Sequence, residues 1–142
     1  MIVTDASVWV SLLTPQDLYH LASRRWFAGW QRQGGRIAAP VLLLGELAGA
    51  VGRRTGQIEL AERVVEDILA DPRVSLIAID QDLGIATARA ALRYRLRGAD
   101  AAYVAVAQRL GLPLVTWDRE QLERARVVVS TFTPETAPVG PP

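Results

Sequence analysis

Apolar residues recur along the chain in two ways. Short continuous runs alternate with longer stretches in which they return every three or four positions, the signatures of strands and of amphipathic helices. Ile2–Thr4 is a first strand, ending at Asp5. Ser7–Leu13 reads as a short helix stopped by Thr14-Pro15, and Asp17 caps a helix through Gln33 that Gly34-Gly35 closes. Arg36–Ala39 gives a second strand, and Pro40 opens the next helix, to Arg54, at a position proline tolerates. Gln57–Ala70 is a further amphipathic helix. Asp71-Pro72 turns the chain into a third strand, Val74–Ile79. Asp80 caps a long helix to Leu96 that Gly98 breaks, Asp100–Leu110 is helical, and Gly111 stops it. Pro113–Thr116 is a fourth strand, Glu120–Arg124 one or two helical turns, and Val127–Thr131 a last strand. From Thr133 four of the ten residues are Pro, which predicts a disordered tail and leaves residues 1–132 as one domain.

Strands separated by helices imply β-α-β crossovers, hence an α/β fold with a mostly parallel sheet and helices on both faces. Ligands of such sheets bind outside the carboxyl ends of the strands, where the strand order reverses.

Composition narrows the chemistry available there. The 142 residues are of single-domain size, and half are hydrophobic against 22% charged, which excludes disorder over most of the length. Without cysteine there is no disulfide scaffold, no Cys-ligated zinc and no thiol catalysis, which fits a reducing compartment. The start Met1-Ile2-Val3-Thr4-Asp5 has no basic segment of a signal peptide, and no stretch approaches the roughly 20 apolar residues of a membrane span. The expectation is a soluble cytoplasmic protein with no membrane partner. All sixteen basic residues are Arg. The missing Lys excludes a P-loop, a Schiff base and a Lys-assisted phosphoryl-aspartate site. The single histidine, His20, excludes a two-imidazole ribonuclease mechanism. Catalysis would have to run on carboxylates and on metal ions held by them.

Four acids stand at strand ends or among apolar residues. Asp5 ends the first strand and also suits the N-cap of the following helix, with Ser7 two residues on as a candidate to orient water. Glu46 has Leu42, Leu43, Gly49 and Ala50 as its helical neighbours, so its carboxylate needs an Arg partner or a cation in a cleft. Asp100 heads an Ala-rich helix, as a cap or a ligand. Asp118 follows the fourth strand, with Thr116 two residues before it and Gln121 three after it, the spacing of a capping box. Each acid alone is accounted for structurally. Together, three or four converging carboxylates repel one another, and a hard divalent cation such as Mg²⁺ or Mn²⁺ relieves that repulsion. Such an ion activates water and stabilises the oxygens of a phosphodiester under attack.

The ordered set resembles the PIN-domain ribonucleases, and most nearly the toxins of VapBC-type type II toxin–antitoxin pairs. IVTDASVWV (2–10) is similar to the family's opening strand with its first acid and Ser, PVLLLGELAGA (40–50) to the helix with its Glu, and LRGADAAYVAVAQRLGLPLVTWD (96–118) to its third and fourth acids. The resemblance implies a three-layer α/β/α fold on a five-stranded parallel sheet of order 3-2-1-4-5. Asp5 and Asp118 would then lie side by side at the reversal. It also implies Asp5, Glu46, Asp100 and Asp118 as catalytic metal ligands, Mg²⁺ or Mn²⁺ as cofactor, RNA cleavage by a metal-activated water, a homodimer, and a small antitoxin as partner. A receiver-like phosphoacceptor would share acids at strand ends but expects a Lys that is missing here. A catalytically silent PIN module binding RNA or protein is the alternative.

Arg89, Arg93 and Arg97 repeat every four residues, so one helical face is predicted to lead toward Asp100 and to meet either RNA phosphates or solvent. Arg53 with Arg54 is a second candidate, and Arg24 with Arg25 a third. Trp26 and Trp30, four apart, suit either core packing or, with Trp9, a groove for an antitoxin's apolar segment.

Overall fold

The computed structural model describes residues 1–140. Its strands are β1 (Ile2–Thr4), β2 (Ile37–Pro40), β3 (Val74–Ile77), β4 (Leu114–Val115) and β5 (Thr131–Phe132). Its helices are α1 (Ala6–Leu13), α2 (His20–Arg32), α3 (Leu43–Thr55), α4 (Ile58–Ala70), α5 (Gln81–Tyr94), α6 (Gly98–Leu110) and α7 (Arg119–Ala125). The strands form one parallel sheet in the order β3-β2-β1-β4-β5. Right-handed crossovers in that order put α1–α4 on one face and α5–α7 on the other, giving the α/β architecture the sequence predicts. Among the described residues no helix is long and apolar enough to cross a membrane.

The core follows from the small residues of α6. Ala101, Ala102, Ala105 and Ala107 alternate with Tyr103, Val104 and Val106, all at most 2% exposed. Side chains this small let α6 lie close against β1, β2 and β4. Gly111 ends the helix in a left-handed conformation at φ 62°, its N–H returning to Ala107 and Gln108. The chain then enters β4, whose register beside β1 (Val3 with Leu114, Thr4 with Val115) sets Asp5 next to Thr116.

Several boundaries differ from the sequence expectation. Asp17 does not cap α2: its carboxylate accepts from the Tyr19 N–H at 2.9 Å in a turn, and the helix starts at His20. Pro40 ends β2, opposite Ile77 in β3, instead of opening a helix. The last strand is Thr131–Phe132, because Val128 and Val129 donate their N–H groups to Ala125 O and continue the turn after α7. The helix expected from Asp80 to Leu96 stops at Tyr94, where Arg95 turns left-handed at φ 54°. Arg97 then precedes α6, and Gly98 begins it. Arg89, Arg93 and Arg97 therefore do not share a helical face.

Trp26 and Trp30 are 2% and 1% exposed and pack in the core with Trp9, although Trp30 and Trp26 each also border a surface hollow. Residues 133–140, expected to be disordered, pack on α2. Pro138 O accepts from Trp26 Nε1 at 2.9 Å, and Ala137 is buried. Proline there supplies apolar surface and a free carbonyl to a Trp that needs both. For Pro141 and Pro142 the disorder expectation lies outside the described residues.

Candidate active site

β1 and β4 carry their acids to the same sheet edge. Asp5 caps α1, one carboxylate oxygen accepting from the N–H groups of Ser7 at 3.1 Å and Val8 at 3.4 Å. The Ser7 hydroxyl donates to the same oxygen at 2.6 Å, and the Thr116 hydroxyl donates to the other at 2.7 Å. Four donors thus fix a carboxylate that is only 4% exposed. Burial still dominates and pushes its pKa up to about 7, with Asp100 adding repulsion. Thr116 Oγ1 also accepts from the Asp118 N–H at 2.9 Å, and Ser7 Oγ from the Trp117 N–H at 2.9 Å. Ser7 and Thr116 therefore tie the turn after β4 to Asp5.

Glu46 sits in the first turn of α3 and is half-buried. No Arg partners it. It accepts instead from the Tyr103 hydroxyl at 2.5 Å, across from α6. Burial raises its pKa, Asp100 raises it further, and the Tyr103 bond opposes both. Burial beside Glu46 and Asp5 in turn pushes the Tyr103 phenol above its usual range.

Asp100 is the third residue of α6, not its cap, and Asp118 is the cap of α7, accepting from the Gln121 N–H at 2.9 Å. The capping box is not closed, since the Gln121 amide donates to Asp100 O at 3.1 Å instead. Arg97 lies between the two acids, 2.8 Å from Asp100 Oδ2 and 2.7 Å from Asp118 Oδ2. Burial raises the Asp100 pKa; Arg97 opposes it, and Asp118 adds repulsion. Asp100 repels Asp5, Glu46 and Asp118, so its charge is felt by all three other acids.

Among the described residues, no three acids as they stand share the geometry of one ion site. Tyr103 holds Glu46, and the Arg97 guanidinium holds Asp100 and Asp118. That guanidinium is a cation of the chain's own resting between two of the four carboxylates. A donor set of carboxylates and hydroxyls, with positive charge already accepted at its centre, suits a hard divalent cation.

Glu46, Ser7 and Asp118 open onto a cleft of about 950 Å³, with Tyr19 and Trp117 on its wall and Arg53 and Arg54 on its rim. Arg89 and Arg93 line a separate hollow with Ala86, Ala90 and Tyr94. His20 is not at the site; its ring bonds Ser11 O in the interior. Sequence reasoning missed Tyr103, Tyr19 and Trp117. Only Trp117, between Thr116 and Asp118, carried a positional signal.

The PIN domain family model matches residues 2–127 of the chain. No curated protein matches it. Among solved structures, it is similar to Mycobacterium tuberculosis VapC20, a sarcin-ricin loop cleaving toxin, at 22% identity and TM-score 0.78 over 97% of this chain and 100% of that one. A toxin-antitoxin complex from Klebsiella pneumoniae matches at 17% identity and TM-score 0.69, covering 96% of this chain and 100% of that one. DNA-bound VapBC from Salmonella typhimurium matches at 16% identity and TM-score 0.70, covering 94% and 99%. At these identities the likeness is one of fold.

Proposed function

The chain belongs to the PIN domain family, and from that membership we propose that it is a metal-dependent endoribonuclease acting as the toxin of a type II toxin–antitoxin pair. The observation that carries this is how the acids are tied together at the carboxyl end of the sheet: Thr116 Oγ1 joins Asp5 to the Asp118 backbone, Arg97 bridges Asp100 and Asp118, and Glu46 and Asp118 line an open cleft. No Lys, Cys or second His offers another route to phosphodiester chemistry. Residues 1–132 with the packed segment 133–140 form the nuclease domain.

The four acids are the proposed ligands of Mg²⁺, for which Mn²⁺ substitutes. When bound, the ion supplies an acidified water and neutralises charge on the phosphodiester under attack. The chain's own groups prepare this. Ser7 and Thr116 fix both oxygens of Asp5. Tyr103 holds one oxygen of Glu46, so the side chain is set before a cation arrives. Arg97 neutralises Asp100 and Asp118 and, once displaced from them, is free to meet an RNA phosphate. Arg53 and Arg54 are placed to do the same at the rim, whereas Arg89 and Arg93 are assigned no part in the cleft.

A homodimer and a cognate antitoxin complete the proposal, supported by the toxin–antitoxin complexes among the similar folds. Action on cellular RNA places the work in the cytoplasm. Incubation of the purified protein with RNA, in Mn²⁺ and in EDTA, tests the chemistry: cleavage is expected only with the ion. Induced expression tests the biology: growth arrest is expected, relieved by co-expressing the small open reading frame beside the gene. Folded protein that binds RNA but leaves it intact in Mn²⁺ would favour a silent PIN module, in which Arg97 permanently neutralises the acids.

A further inference from the structure

One wall of the cleft has no part in holding a cation. Tyr19, before α2, and Trp117, in the turn after β4, lie face to face with ring centroids 4.0 Å apart and planes 12° apart. Both line the cleft with Ser7, Glu46 and Asp118. The other three tryptophans are 6% exposed or less, so Trp117, half-buried at the cleft wall, is the one that the core does not enclose. The pair is also braced. The Trp117 indole N–H donates to Ser23 Oγ at 2.7 Å, and its backbone N–H donates to Ser7 Oγ, the hydroxyl that holds Asp5. The polar edge of the indole is thereby satisfied inside the protein.

We propose that the Tyr19–Trp117 pair is a stacking platform for an unpaired base of the RNA strand, holding that nucleotide beside the acid cluster. The cleft then offers a nucleotide three surfaces: Glu46 and Asp118 for the phosphate under attack, aromatic faces for the base, and Arg53 with Arg54 for a neighbouring phosphate. Stacking tolerates every base, so the platform selects for a single-stranded or flipped-out nucleotide and sets its position without reading its identity. The assignment deepens the nuclease reading and rests on it.

The test is binding of a mixed-sequence single-stranded RNA oligonucleotide in EDTA at low salt, where the strand stays intact, compared with the same strand carrying abasic sites. With the other tryptophans buried, quenching of indole fluorescence on binding reports on the half-buried Trp117. Quenching on binding is expected, and its loss in Trp117→Phe. Tyr19→Ala is expected to bind the normal strand about tenfold more weakly, while Tyr19→Phe, which keeps the ring, binds like the wild type. The wild type is expected to bind the abasic strand about as weakly as Tyr19→Ala binds the normal one. Equal affinity of folded Tyr19→Ala for the normal strand, quenching that persists in Trp117→Phe, or no wild-type preference for bases would each overturn the platform. Cleavage in Mn²⁺ is read separately, so loss of the platform leaves the nuclease assignment intact, and the reverse.

Discussion

Burial lifts the Asp5 carboxyl from 3.8 to about 7, against the bonds from Ser7, Thr116 and Val8. Between those values the folded protein holds a proton that the unfolded chain has released, so the Asp5 contribution to metal-free stability is greatest below 3.8 and falls as pH rises toward 7. Glu46 and Asp100 are raised as well and contribute with the same sign. Thermal melts in EDTA across that range are expected to show the decline, and Asp5→Asn, which keeps the cap, to flatten it; an unchanged slope would contradict the burial account. Arg97 gives a second expectation. Its ion pairs compete with any cation at Asp100 and Asp118, so Arg97→Ala should bind Mn²⁺ about two- to fivefold more tightly by calorimetry, the modest range fitting a guanidinium side chain that is 68% exposed. Unchanged or weaker binding would mean that the guanidinium does not occupy the ion's place. The four acids were legible in the sequence because each sits at a strand end or among apolar neighbours. The Tyr103–Glu46 bond was not, since its partners are 57 residues apart and Tyr103 sits in a run of core residues.

The junction of α5 and α6 decides where Arg97 points. Gly98 was the visible breaker, yet the chain turns at Arg95, where the Leu96 N–H returns to Ala91 O and Leu96 is buried. That is a helix terminus of the kind glycine usually makes, and a non-glycine left-handed residue leaves no mark in the sequence. Two opposite effects are expected at the two ends. Arg95→Gly should stabilise the protein by up to about 1 kcal/mol, and Gly111→Ala, at φ 62°, should destabilise it by about 1 kcal/mol or more. Denaturant titrations check both, and a loss of stability in Arg95→Gly would contradict the left-handed cap. The short strands show the same limit of local signals. Val127–Val129 has strand composition but lies in a turn, because the residues pairing with β4 are fixed by the sheet and not by their own propensity.

At the scale of the molecule, the sheet order brings β1 and β4 together at the reversal and sets Asp5 beside the Thr116–Asp118 turn, while α3 and α6 supply Glu46 and Asp100. Alternation of strands and helices made the parallel sheet legible. The strand order came from resemblance, since local pattern does not encode which strands are neighbours. Carboxylates that repel in the metal-free fold should make Mn²⁺ a stabiliser: the melting temperature is expected to rise with its concentration, and far less in Asp5→Asn. An equal rise in both proteins would put the ion elsewhere. Asp100 is the acid whose charge is felt by the other three, so the most direct measurement is the rate of RNA cleavage in Mn²⁺ by wild type and by Asp100→Asn, with folding of both checked by thermal melts. The account predicts metal-dependent cleavage by the wild type and a loss of at least about a hundredfold in the variant, with its fold intact, as removal of a charge-stabilising group from a catalytic site typically produces. Cleavage by folded Asp100→Asn at the wild-type rate would contradict it.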